Sequence, residues 1–351
     1  MSQSNETIKV GISGFGMAGS VFHAPIIASC SKTELVAINT SNPQAEHTIK
    51  ETYPNVNIFQ SYEDLLASNV DLIVIPTPNE THFQLAKQAL EAGKNVVIDK
   101  PMTVTSKEAE ELIKLANSKN LVLSVYHNRR WDTDFLTLQK VIKEDRLGNI
   151  VDAGISFNRF RDFLKDNWRE KDVPGGGILY DLGPHLIDQA VCLFGMPDEV
   201  YADIRKQRPE AVVEDRFTII LFYPDKRVTL NAGMLASWQG PKILVQGTKG
   251  AYLKYGLDPQ EALLKKGKTP ADSPSLWGKQ SSERQPKIIH PDGTQENLTA
   301  IPGDYRGYYS NIATSILEKS TPEVTGIDGL NTIKIIEAAI SSSKEKKNIS
   351  L

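Results

Sequence analysis

The chain runs to 351 residues, and its 40 Lys and Arg nearly balance 43 Asp and Glu, leaving a formal charge of −3. That length suggests two domains, each with its own core, and that balance gives no reason to expect a nucleic-acid or membrane-surface partner. Two cysteines, Cys30 and Cys192, and a polar start with no apolar run behind it argue against a disulfide framework, a signal peptide or a membrane span, and predict a cytoplasmic protein.

The first predicted strand, 8–12, runs into Gly14-Phe15-Gly16-Met17-Ala18-Gly19 and then a helix. Each glycine has a job in a dinucleotide site. Gly14 would make the tight turn, Gly16 would let the backbone approach a pyrophosphate, and Gly19 would let the helix lie close on the strand. The helix N-terminus then offers free N–H groups to the anion. Further apolar runs at 35–39, 72–75, 96–98 and 121–126 alternate with amphipathic stretches near 18–29, 43–52, 80–92 and 106–118. This alternation predicts an α/β Rossmann domain, a doubly wound parallel sheet, whose ligands bind beyond the carboxyl ends of the strands.

The residues that follow each strand are therefore the candidates. Run 35–39 ends in Asn39-Thr40-Ser41, with no carboxylate to hold ribose hydroxyls. That favours NADP, with NAD as the alternative. Lys50 is the nearest downstream base. Run 72–75 leads through Thr77, Pro78 and Asn79 to His82, with Thr77 facing the cofactor and Asn79 capping the helix. A proline-bearing helix start would look the same. Run 96–98 ends in Asp99-Lys100-Pro101, and run 121–126 in Tyr126-His127-Asn128-Arg129-Arg130-Trp131. Asn128 and the arginines are expected at the junction with the next domain, where structural salt bridges are a rival explanation for the arginines.

The texture changes near residue 127, dividing the chain into a dinucleotide-binding domain, 1–127, and a second domain, 128–351. A helical stretch, Thr133–Lys143, precedes strand-like alternation at 150–158, 199–206, 215–223, 227–235 and 242–246, with a turn at 247–250. Strands without intervening helices predict an α+β domain with a mainly antiparallel sheet. Residues 258–288, rich in Lys, Pro and Ser, read as a solvated loop in preference to an oligomer contact or a lid. Helices are expected near 304–319 and 326–343, with a frayed basic end. Two closing helices cover only one sheet face. A free face carrying Phe217, Ile219, Leu221 or their alternates would be an exposed apolar patch unless paired with another subunit. A homodimer or homotetramer is therefore expected.

Within the second domain, Gly175-Gly176-Gly177 opens a stretch in which Asp181 and His185 stand four apart, on one face of a helix. Pro184 either starts that helix or kinks one begun near Gly177. A carboxylate beside a histidine can fix its tautomer and raise its basicity.

Together these strings resemble the Gfo/Idh/MocA oxidoreductases: the glycine fingerprint, Asp-Lys-Pro where the family usually has Glu-Lys-Pro, and Gly-Gly-Gly-x-Leu-x-Asp-x-Gly-x-His-x-x-Asp. Finer strings, 19–23, 126–132 and 180–183, resemble the NADP-dependent scyllo-inositol dehydrogenases within that family. The resemblance implies that Lys100, Asp181 and His185 are catalytic, and that hydride passes between a nicotinamide and a secondary alcohol of a cyclic polyol. Tyr126, Arg161 and Trp168, with the catalytic three, are the expected substrate contacts, and Trp168 offers a plane for a ring's C–H face. No metal is expected. A dehydrogenase of another sugar or carbonyl compound, or a non-catalytic NAD(P)-binding regulator, are the competing readings.

Overall fold

A computed structural model of the chain describes residues 6–351. They fall into two compact units. The first holds the residues up to Asn128 together with Gln260–Trp277 and Asp304–Leu330; the second holds Arg129–Pro259, Gly278–Gly303 and Asn331–Leu351. The first unit thus draws two stretches from far along the chain, where the sequence alone suggested one cut after 127.

The first unit is built on six parallel strands, β1 (Ile8–Ser13), β2 (Thr33–Asn39), β3 (Asn57–Phe59), β4 (Leu72–Ile75), β5 (Asn95–Ile98) and β6 (Leu123–Val125), in the order β3-β2-β1-β4-β5-β6. The order reverses at β1, the topological switch point at which such sheets bind nucleotides. Val10, Ile12, Ile73, Val74, Val96 and Val97 are completely buried. The helices of its first stretch are α1 (Ala24–Ser29), α2 (Pro43–Thr52), α3 (Tyr62–Ala67), α4 (His82–Glu91) and α5 (Ser106–Lys119). Their starts are written locally. Asn42 accepts from Gln44 N at 2.9 Å with Pro43 as the first helical residue, and Thr105 and Glu108 form a reciprocal capping box.

The second unit contains α6 (Thr133–Lys143) and strands β7 (Ile150–Asn158), β8 (Glu199–Arg205), β9 (Arg216–Phe222), β10 (Arg227–Gly233), β11 (Ile243–Gly247), β12 (Gly250–Lys254), β13 (Lys287–Ile289), β14 (Gln295–Asn297) and β15 (Ile349–Ser350). They form one sheet in the order β14-β13-β12-β11-β7-β10-β9-β8-β15, antiparallel except where β7 and β10 run parallel. Helix α7 (Gly177–Phe194) continues through Pro184, so the proline lies inside a helix begun at Gly177. Of the remaining helices, α8 (Gln260–Leu264) and α9 (Arg306–Glu318) belong to the first unit, and α10 (Gly326–Glu345) begins in the first and continues in the second. Among the described residues no helix is long and apolar enough to cross a membrane.

Side chains alternate across β9. Phe217, Ile219 and Leu221 are fully buried in a core shared with Leu182, Leu186 and Ile187 of α7 and with Ile333 and Ile336 of α10. Thr218, Ile220 and Phe222 are half-buried on the opposite face. The helices therefore cover the first set, and the alternates make the open face.

Two expectations change. The 258–288 stretch is not solvated throughout. Trp277 is buried and donates through Nε1 to Gln260 Oε1 at 2.9 Å, and the same oxygen accepts from Tyr305 N at 2.8 Å. Nor does the basic end fray. Ile349 and Ser350 pair with Val200 and Glu199 and add a strand to the sheet edge, because Ile349 supplies the apolar contact that the flanking lysines lack.

Candidate active site

At the mouth of the first sheet the structure bears on the turn expected at Gly14 and the close approach expected at Gly19. Gly14 has φ +99°, a left-handed conformation that L side chains rarely adopt. A Cβ on Gly19 would stand 2.4 Å from the Gly14 carbonyl oxygen, so the helix can lie this close only without a side chain. A Cβ on Gly16 would meet nothing within 4 Å, which leaves room for a ligand group. The following helix opens as a wide π-turn over Ala18–His23, with Ala24 N donating to Gly19 O. Phe15 packs edge-on to Tyr53, and Met17 is largely exposed. This cradle fits a dinucleotide pyrophosphate.

Neighbouring strand ends converge on the cradle. Thr77 Cγ2 lies 3.1 Å from the position of a Gly14 Cβ, and Thr77 Oγ1 accepts from Thr81 at 2.7 Å. Pro78 precedes a 3₁₀ turn over Asn79–Thr81. Asn79 is therefore buried inside that turn and does not cap α4, whose cap position belongs to Thr81. His82 is fully buried, with Nδ1 2.8 Å from Pro101 O and Nε2 2.9 Å from Thr77 O. It ties two loops together instead of reaching a cofactor. Burial pushes its pKa down, against the opposing charge of Asp99. At the end of β2, Asn39 Nδ2 donates to Phe59 O at 3.1 Å, Thr40 Oγ1 accepts from Asn42 N, and Ser41 is exposed. The nearest downstream carboxylate, Glu46, accepts from Gln60 Nε2 at 2.5 Å and lies 3.9 Å from Lys50 Nζ.

Beyond β5, Asp99 Oδ1 accepts from Lys100 N at 2.9 Å and lies 3.7 Å from His23 Nε2, whose Nδ1 is 2.6 Å from Tyr309 Oη. Burial alone would raise the Asp99 pKa. His23, Lys100 and His82 outweigh it and hold the carboxyl well below the usual range. Asp99 therefore stays ionised beside Lys100. Tyr126, expected to touch substrate, lies in the core instead: it stacks on His23, 4.2 Å between centroids, and donates to Phe22 O at 3.1 Å. At 2% exposure its side chain presents almost no surface to a ligand. Asn128 is buried and ends the first unit.

In the second unit, α7 carries Asp181 and His185 one turn apart, with His185 buried and Asp181 about a quarter exposed. The N-terminus of α7 is satisfied from the β8–β9 connection. Ile178 N donates to Glu214 O at 3.0 Å, and Leu179 N to Glu214 Oε1 at 3.3 Å. Gly177 has φ +86° there, a conformation that L side chains rarely adopt. Burial pushes the Glu214 pKa up. Asp181 Oδ1 lies 3.2 Å from Arg169 Nε, and Arg169 stacks over Trp168 at 4.5 Å. Arg161 pairs with Glu170. Arg130 makes a fork onto Asp188 at 2.6 Å, and Arg129 lies 3.2 Å from Asp132, so both arginines follow the salt-bridge reading. Glu214 was not singled out as a site residue from sequence. Glu214 meets its helix 35 residues away, a separation with no local signature.

A dinucleotide cradle with a lysine at its mouth, and a separate unit bearing an Asp–His pair on a helix, define a nicotinamide-dependent dehydrogenase. Residues 8–127 match the NAD-binding Rossmann fold of an oxidoreductase family and residues 139–351 the C-terminal alpha/beta domain of the same family. The chain belongs to the Gfo/Idh/MocA oxidoreductase family. It is 43% identical over 350 residues to the oxidoreductase YdgJ of Escherichia coli, covering 99% of each. It is 39% identical to the scyllo-inositol 2-dehydrogenase (NADP(+)) IolW of Bacillus subtilis, covering 99% of this chain and 96% of that one. The solved structure of oxidoreductase yvaA from Bacillus subtilis superposes with a TM-score of 0.94 at 39% identity, covering 99% of each chain.

The second and third fingerprint glycines should separate folding from cofactor binding. Gly19→Ala forces a methyl onto backbone and is expected to lower the melting temperature and NADPH affinity together. Gly16→Ala meets open space and should leave the melting temperature unchanged while weakening NADPH. Calorimetry with fluorescence titration checks both; unaltered NADPH binding by Gly16→Ala would remove the pyrophosphate from this loop.

Proposed function

We propose that the protein is an NADP-dependent dehydrogenase of a neutral cyclic polyol, with scyllo-inositol and its 2-ketone as the first-choice pair. The observation that carries the neutral substrate is the pairing of arginines in the second unit. Arg129, Arg130, Arg161, Arg169 and Arg208 each face a carboxylate of the protein, leaving no arginine among them dedicated to a substrate phosphate or carboxylate. The inositol itself rests on the 39% identity to IolW and on the finer motif strings. The absence of a carboxylate at Asn39-Thr40-Ser41 supports NADP, because an acidic residue there would repel a 2′-phosphate.

Residues 14–19, Thr77 and Asn39–Ser41 would hold the cofactor, and a nicotinamide supplies the hydride acceptor or donor when bound. Lys100 binds the reacting oxygen and stabilises the negative charge that grows there. His185 takes the hydroxyl proton in oxidation and returns it in ketone reduction. Asp181 favours the protonated imidazole. Trp168 and Arg161 line the substrate side. The first domain thus carries the cofactor and the second the substrate. We place the enzyme in the cytoplasm, where two free thiols remain reduced.

A panel of polyols and sugars should show scyllo-inositol oxidised well with NADP, and glucose, myo-inositol and NAD clearly less well. A hexose with the highest kcat/KM would overturn the substrate, and equal efficiency with NAD would overturn the cofactor preference.

Lys100→Met should lower kcat by about 10²–10³-fold with NADPH affinity nearly unchanged. His185→Asn should remove most activity, and adding Asp181→Asn should cost little more, since residues of one relay are non-additive. Turnover of Lys100→Met within a few-fold of the parent sinks the role.

The open sheet face carrying Thr218, Ile220 and Phe222 supports a homodimer or homotetramer assembled through the second domain. Light scattering at micromolar concentration is expected to give at least twice the 38.9 kDa of one chain, and a monomer would exclude it.

A further inference from the structure

Between β7 and α7, residues 159–176 run without regular structure beyond one 3₁₀ turn, Trp168–Glu170. Apolar burial does not hold this segment: Phe163 is 61% exposed and Trp168 only half-buried. Its start is bonded to 233–236 through Arg159 N and Arg161 N, and beyond that an arginine from the β8–β9 connection reaches both Phe163 and Glu170. Arg208 is 4% exposed and uses every arm of its guanidinium. Nε donates to Asp215 Oδ2 at 2.8 Å, Nη1 to Phe163 O at 2.8 Å, and Nη2 to Glu170 Oε2 at 2.6 Å. Asp215 is itself fixed, with Oδ1 accepting from Gln207 N at 2.7 Å and Oδ2 from Arg208 N at 3.0 Å.

Glu170 and Arg169 are neighbours in the same 3₁₀ turn, where successive side chains leave about 120° apart. Fixing Glu170 on Arg208 therefore sets the direction in which Arg169 leaves the turn, and that direction carries its Nε to Asp181. We propose that Arg208 is a positioning residue for the dehydrogenase: through Glu170 it orients Arg169 against Asp181, and so the carboxylate that serves His185. This rests on the catalytic reading of Asp181 and His185. A lysine cannot replace Arg208, because one ammonium cannot reach Asp215, Phe163 O and Glu170 with the fixed fork that spans them.

The test uses the full-length enzyme with scyllo-inositol and NADP, and four variants: Arg208→Gln, Arg208→Lys, Arg169→Met and the double Arg208→Gln/Arg169→Met. Arg208→Gln is expected to lower kcat about 10–100-fold, the scale of a small misplacement of a catalytic group, with KM for NADP within two-fold. Arg208→Lys should not restore it. The double variant should be no slower than the slower single one. Limited trypsin cleavage after Lys165 and Arg169, read by mass spectrometry, reports release of the segment without any turnover and should accelerate in Arg208→Gln. If that variant does not fold, Glu170→Gln leaves the Arg208–Asp215 pair intact and tests the same tether. Losses that multiply in the double variant, or faster cleavage with kcat unchanged, overturn the proposal. Unchanged cleavage overturns the tether itself. Insensitivity of the parent to His185→Asn would instead bring down the catalytic reading, which the cleavage assay does not use.

Discussion

A carboxylate taken out of water must find its charge partners inside the protein, and Asp99 imposes that constraint on the whole mouth of the first sheet. Its neighbours come from separate places: His23 from the fingerprint helix, Lys100 from the next position in the chain, and His82 from the start of α4. Each neighbour is in turn tied elsewhere. His23 meets Tyr309 of α9, and His82 spans the carbonyls of Thr77 and Pro101. Removing the carboxylate would take from Lys100 N its acceptor at 2.9 Å and from His23 Nε2 the oxygen 3.7 Å away. Substituting Asp for the family's usual Glu shortens this group by one methylene and keeps the charge.

The second unit solves a different problem. Its candidate region contains many cations, and each arginine named above is matched by a carboxylate of its own chain. Such neutralisation costs desolvation and returns geometry in place of affinity. A region organised in this way presents fixed dipoles and aromatic planes to a ligand, a good match for hydroxyls. Glu214 and Arg208 lie close together in the same β8–β9 connection, one seating the helix that bears Asp181 and His185 and the other the segment that bears Arg169.

What could be read from sequence follows from how local each requirement is. The fingerprint was legible because a turn, a close approach and a helix–strand contact each demand glycine within six residues. Asp181 and His185 were legible as a pair because helical spacing puts them on one face. By contrast β3 has three residues, too few for any periodicity, and α3 announces itself only through the Ser61 cap, whose oxygen accepts from Asp64 N at 3.1 Å. Trp277 was lost in Lys, Pro and Ser, because composition outvotes a single aromatic whose partner, Gln260, is polar. Tyr126 looked like a ligand contact because a tyrosine after a strand end suits either role; only the rings around it decide. The arginine pairings join residues up to 58 apart in sequence, and no pattern in the chain names the partner.

The long-range closure of the first unit bears on the order in which the protein is made. His23 finds Tyr309 across 286 residues, and Ser124 finds Tyr308 across 184. A ribosome releases the glycine fingerprint and all six parallel strands long before α9 emerges. Until then His23, Tyr126 and Ser124 lack Tyr308 and Tyr309. Domains usually complete themselves amino-terminal first during synthesis. Here the amino-terminal unit is finished by residues 304–330, and the last strand of the second sheet by residues 349–350. Neither half therefore closes before these residues are made, and a nascent chain stalled before residue 304 holds neither one complete.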